Sequence, residues 1–94
     1  MKKIASFTRS SLEIGNGHLV RMSQLISCLN TTDINVDFYC EYEQTPKWFL
    51  SVEHTKLAAK DFFEKDLSNY DLIIYDSYLD REKLKLIKNN ILLI

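Results

Sequence analysis

Residues 70–76, YDLIIYD, restrict the possible fold more than any other stretch of this chain. A short continuous apolar run bounded by polar residues fits a strand buried on both faces. Such strands belong to parallel sheets, whose faces are covered by the helices that connect the strands. The preceding sequence supplies the required alternation. Residues 3–7, KIASF, read as a first strand, and Leu19, Met22, Leu25, Ile26 and Leu29 then recur at the spacing of one helical face. Asn30, Thr31, Thr32 and Asp33 stop that helix and turn the chain. Residues 34–40, INVDFYC, alternate so that Ile34, Val36, Phe38 and Cys40 share one side, the pattern of a half-buried strand.

The middle and end of the chain continue the same alternation. Pro46 suits the first turn of a helix in which Trp48, Phe49 and Val52 form a short apolar face. Residues 54–59 are expected to hold a weak edge strand, and residues 61–67 a second short helix. Residues 80–89 read as a helix, with Asp80 and Glu82 early and Lys83, Lys85 and Lys88 late, the order the helix dipole favours. Residues 91–94, ILLI, then begin a further buried strand. The expected fold is an open, mainly parallel α/β sheet with helices on both faces, its first, second and fourth strands central. A chain ending on NNILLI stops at a buried-type strand, so a partial domain is expected, with an exposed terminal strand that promotes self-association.

Composition narrows the partners. With 12 basic and 13 acidic residues in 94, neither nucleic acid nor an anionic membrane surface is an expected partner. The apolar runs are too short to span a bilayer and MKKIASF lacks the apolar core of a secretion signal, so a soluble cytoplasmic chain is expected. Cys28 and Cys40 lie in apolar patterns without CxxC spacing, and are read as buried thiols rather than a disulfide or metal site. His54, beside Glu53, is read as a surface residue.

The chemistry concentrates elsewhere. The chain's two glycines, Gly15 and Gly17, flank Asn16 and are followed at once by His18, in the first strand-to-helix loop. In an open parallel sheet such loops open at the carboxyl edge, where ligands bind. Glycines there permit positive φ and remove Cβ atoms from a ligand's path, while the first turn of the helix offers free N–H groups. On chemistry alone three readings remain: a tight turn with a surface histidine, a dinucleotide loop lacking its third glycine at Val20 with Glu41 as the ribose acid, or His18 as a base near neutral pH.

The longer string IGNGHLVRMSQLISCL resembles the N-terminal signature of the UDP-sugar hydrolases of pseudaminic acid biosynthesis, with Gly15, Gly17, His18 and Arg21 on its pattern. YDLIIYDSYLDREKLKLIKNNILLI is similar to that family's strand ending in Asp-x-Tyr, with Asp76 and Tyr78 on the motif. The resemblance implies a Rossmann-like domain forming the N-terminal half of a glycosyltransferase-B-like fold, with a nucleotide-gripping second domain outside these residues. It also implies removal of UDP from a diacetamido-trideoxy sugar nucleotide by inverting attack of water, needing neither metal nor cofactor. His18 is then the base and Tyr78 contacts the sugar. The backbone at Gly15, Asn16 and Gly17 admits the substrate, Arg21 orients the loop or meets a phosphate, and Asp76 binds substrate or caps its loop. The isolated chain is expected to be inactive, since the resemblance places the nucleotide grip elsewhere.

The sequence departs from that family at two points. Ser77 stands where the family has a histidine, and Phe7-Thr8-Arg9 stand where it has an arginine and an aspartate. A sugar-nucleotide glycosyltransferase, or a sugar-binding module without catalysis, therefore remains open beside the hydrolase.

Overall fold

The computed structural model describes residues 2–11 and 17–94. Five strands, all parallel, form one sheet in the order β3-β2-β1-β4-β5. They are β1 (Lys2–Arg9), β2 (Ile34–Glu41), β3 (Thr55–Lys56), β4 (Leu72–Asp76) and β5 (Asn90–Leu93), with helices α1 (Gly17–Leu29) and α2 (Ala59–Glu64) between them. This is a Rossmann-like open sheet, with β2, β1 and β4 at its centre. From β1 the chain builds outward through β2 and β3, then returns to place β4 on the other side of β1. The order of strands therefore reverses between β1 and β4.

Each face of the sheet carries its own core. Ile4, Phe38, Cys40 and Ile74 meet Leu19, Met22 and Ile26 of α1, together with Phe49 from the 3-10 helix Lys47–Ser51. On the other face Ala5, Phe7, Tyr39, Ile73 and Tyr75 meet Ala59 and Phe62 of α2, then Leu67 and Leu84. Consecutive strand residues alternate between the two faces, as the pleat requires. β4 is buried on both, so its continuous apolar run serves two cores at once.

Several sequence expectations shift for identifiable reasons. β1 extends through Thr8 and Arg9, expected as loop, because Thr8 pairs with both Cys40 and Asp76. α2 starts at Ala59, since Oε1 of Glu41 accepts the Ala59 N–H at 2.8 Å, and it ends when Lys65 turns extended. Residues 81–86 form a 3-10 helix instead of an α-helix across 80–89: Asp80 takes φ 60°, and Leu84 and Ile87, three residues apart, both pack on the sheet. β5 is not fully buried, because among the described residues no helix covers it, and Leu92 and Leu93 are 47% and 48% exposed.

Two side chains stand where the sequence reading did not put them. Cys28 is exposed on the outer side of α1, while Cys40 is buried. His54 is half-buried and its ring lies 4.3 Å from that of Phe49. Its Nδ1 meets the Val52 carbonyl at 2.6 Å, which only accepts, so Nδ1 carries the proton and Nε2 accepts from the Tyr42 hydroxyl at 2.8 Å. Both ring nitrogens of His54 are thereby occupied in holding the β3 edge.

Candidate functional site

The site follows from strand register. Thr8 and Asp76 are paired residues on adjacent strands, so both side chains project from the same face at the carboxyl edge of the sheet. That face carries α1. The helix begins at Gly17, which sets His18 and Arg21 three residues apart on its first turn, on one side of the helix and above Asp76. The position is the reversal point between β1 and β4, the place where open parallel sheets bind their ligands.

Asp76 is fully buried, yet its carboxylate is well supplied with donors. His18 Nδ1 lies 2.7 Å from Oδ1 and Arg21 Nη2 lies 3.2 Å from the same oxygen. The Thr8 hydroxyl donates to Oδ2 at 3.1 Å. A carboxylate only accepts, so the ring proton of neutral His18 resides on Nδ1. Arg21 Nη2 also approaches Nδ1, at 3.1 Å, but two donors facing each other make no bond, and the shared partner of both is Asp76. The consequence is a fixed tautomer: Nε2 carries the lone pair, and it meets no hydrogen-bond partner among the described residues. A carboxylate that holds an imidazole in this tautomer, and that stabilises the imidazolium formed on proton uptake, is a general-base arrangement.

Tyr78 stands beside this group. Its side chain is 78% exposed and its ring meets the His18 ring edge-on, with centroids 6.5 Å apart. The Arg81 guanidinium lies over the Tyr78 ring at 4.9 Å. Ser77, where the resembling family has histidine, is buried and uses its Oγ to accept the Leu79 N–H at 3.1 Å. Its place in the turn is structural.

Of the residues singled out in the sequence, His18, Arg21 and Asp76 form one hydrogen-bonded group and Tyr78 lies beside it. Asp76 does not cap its own loop; its side chain turns back to the first turn of α1. Gly17 is exposed at the helix start without a positive φ, and a Cβ added there would meet nothing within 4 Å. Positive φ is therefore no reason for a glycine at position 17. Gly15 and Asn16 lie outside the described residues. Glu41, the ribose acid of the dinucleotide reading, is committed to an ion pair with Arg9 and to the Ala59 N–H.

Sequence reading missed Thr8 and Arg81. Thr8 had a signal, since Ile4, Ser6 and Thr8 continue one alternating face into the carboxyl edge. Arg81 had none. A separate polar groove runs beside the free half of β2, lined by Ser23 of α1 and by Asn30, Asn35 and His54, and Asp76 is not among its lining residues. Among the described residues no three His, Cys, Asp or Glu side chains converge as a metal site, and no helix is long and apolar enough to cross a membrane. Compared with protein-family models, curated proteins and solved structures, the chain matched none.

Proposed function

We propose that this chain is the catalytic half of a sugar-nucleotide hydrolase that removes UDP from a diacetamido-trideoxy sugar, with His18 as the base. The observation that carries the reading is the Asp76–His18 pair at the strand-order reversal, which leaves Nε2 without a partner among the described residues. The resemblance of IGNGH and DSY to the hydrolases of pseudaminic acid biosynthesis supplies the substrate class. Nε2 takes a proton from water as the water oxygen bonds to the anomeric carbon. The carbon–oxygen bond to the diphosphate breaks, and its electron pair leaves on UDP with inversion at carbon. Asp76 stays ionised and stabilises the imidazolium, which then releases its proton to solvent.

This reading also gives Arg21 a role. Inversion sets water and leaving group on opposite sides of the anomeric carbon, while Arg21 lies on the Nδ1 side of the ring, behind the base. Arg21 therefore serves the Asp76 charge and not the departing diphosphate. Tyr78, exposed and edge-on to the His18 ring, offers a ring face and a hydroxyl to the sugar.

The test is UDP release from the sugar nucleotide, measured with the 94-residue chain and with a longer form that carries a nucleotide-binding domain. The chain alone should show no turnover. In the longer form His18→Asn should retain nucleotide binding and lower turnover by roughly a hundredfold or more, the scale of a lost general base. Unchanged turnover in that variant would remove His18 from the mechanism. A glycoside in place of a free sugar among the products would make the reaction a transfer to a hydroxyl acceptor.

A further inference from the structure

We infer that Arg81 is the positioning residue of the candidate site, holding Tyr78 against His18. The backbone beneath Tyr78 is fixed by bonds that Tyr78 does not make. Leu79 N–H donates to Ser77 Oγ at 3.1 Å, and the Leu79 carbonyl accepts from the buried Tyr75 hydroxyl at 2.7 Å. Asp80, at φ 60°, turns the chain and pairs with Arg9 at 3.5 Å. The turn is thus determined from both strands, but the Tyr78 side chain leaves it into solvent, and an exposed ring samples several rotamers unless something selects one.

Arg81 makes that selection. Its Nε donates to the Ser77 carbonyl at 2.7 Å and its Nη2 to the Ile94 carbonyl at 3.2 Å, so the guanidinium is pinned between the ends of β4 and β5. Its planar face then lies 4.9 Å from the Tyr78 ring centre. Two fixed hydrogen bonds orient the plane, and the plane orients the ring. The same ring meets His18 edge-on. A lysine at position 81 would keep the cation but lack the planar fork that bonds and stacks at once. Arg81 touches neither Asp76 nor His18 among the described contacts, so its effect reaches the base only through Tyr78.

The inference deepens the proposed hydrolase site and rests on it for its catalytic consequence, but its geometry is testable without turnover. In the isotopically labelled 94-residue chain, cross-relaxation between the Tyr78 and His18 ring protons reports their contact, and methyl shifts of Ile73 and Ile74 report the fold. Arg81→Met should keep the methyl shifts and lose the cross-peaks, and Arg81→Lys should recover them only in part. Retention of full cross-peaks in Arg81→Met would overturn the inference. If Arg81→Met fails to fold, Arg81→Lys decides: cross-peaks of unaltered intensity there overturn it, and weakened ones support it. In a longer, active form, Arg81→Lys should raise KM several-fold, with a smaller change in kcat, since the ring's place and not the base is disturbed. Loss of the cross-peaks together with full activity of His18→Asn would leave the positioning intact and defeat the hydrolase reading instead.

Discussion

At the scale of single residues, the site depends on how one buried carboxylate is shared. Asp76 Oδ1 serves His18 and Arg21 together, and Oδ2 serves Thr8, so its charge is met by three donors in a place without solvent. Removing the charge while keeping the shape isolates its part in catalysis. Asp76→Asn presents an amide of nearly the same volume, which can still accept one bond but cannot stabilise an imidazolium. In an active form the expected result is a fall in turnover of roughly a hundredfold or more with nucleotide binding retained. Turnover equal to the parent's would mean that Asp76 only builds the fold. How far this could be read in advance differs by residue. His18 announced itself through the glycines around it, whereas Asp76 read equally well as a strand-end cap. Its partnership needs the pairing of Thr8 with Asp76 and the placing of α1 over that face, and neither is a local property of sequence.

At the scale of elements, the short helices exist through tertiary contacts and not through propensity. α2 has six residues, too few to be stable alone, and is fixed by Phe62 against Phe7 at 4.9 Å and by the Glu41 carboxylate on Ala59 N–H. This explains why periodicity found a helix there but displaced it by two residues: the start is set by a side chain on β2. The two functions of Glu41 can be separated. Glu41→Gln keeps an acceptor for Ala59 and loses only the partly exposed Arg9 pair, so it should cost less than about 1 kcal/mol. Glu41→Ala loses the cap as well and should cost about 1–2 kcal/mol more, read from denaturant midpoints at constant m-value. Equal midpoints for the two variants would show that the cap contributes nothing. The central strands also carry buried ionisable groups. Burial, with the nearby Glu41 charge, pushes the Cys40 thiol up to about 12 from 9.0. Burial likewise raises the Tyr75 phenol to about 12 from 10.0, aided by Asp80 and opposed by the Ser77 hydrogen bond. Both groups are neutral when protonated, and the folded chain holds their protons more tightly than the unfolded chain. Their contribution is therefore complete below the unfolded values and is lost as pH rises through the folded ones. Denaturant midpoints should fall between pH 9.0 and about 12, and Cys40→Ala should flatten the lower part of that fall. A midpoint independent of pH across this interval would contradict the burial of both groups.

At the scale of the whole molecule, the alternation of strand and helix patterns is enough to predict a parallel sheet and its three central strands, since those strands carry apolar residues for two faces. The weakly patterned β3, two residues long, reads as an edge and is one. The other edge was less legible. ILLI has the composition of a buried strand, but burial depends on what lies over it, and β5 is left with Leu92 and Leu93 about half exposed, at 47% and 48%. The two edges are protected differently. Along β2, the Asn30 side chain accepts the Val36 N–H at 3.3 Å and the Thr31 N–H bonds the Ile34 carbonyl, which occupies backbone groups that would otherwise pair with another strand. β5 carries no lysine, proline or bulge between Asn90 and Leu93, and Leu86, 85% exposed, adds apolar surface in the segment leading to it. A parallel edge flanked by leucines on both faces is an open template for a second strand. The 94-residue chain should therefore self-associate through β5, with a sedimentation coefficient that rises with concentration. Leu92→Lys sets a charge on the exposed α1 side of the strand, outside the core, and should return the chain to a concentration-independent monomer while leaving its denaturation midpoint within about 0.5 kcal/mol of the parent. A parent chain that sediments as a single monomer at every concentration would show that the edge is already protected, and association that persists in Leu92→Lys would place the contact elsewhere on the surface.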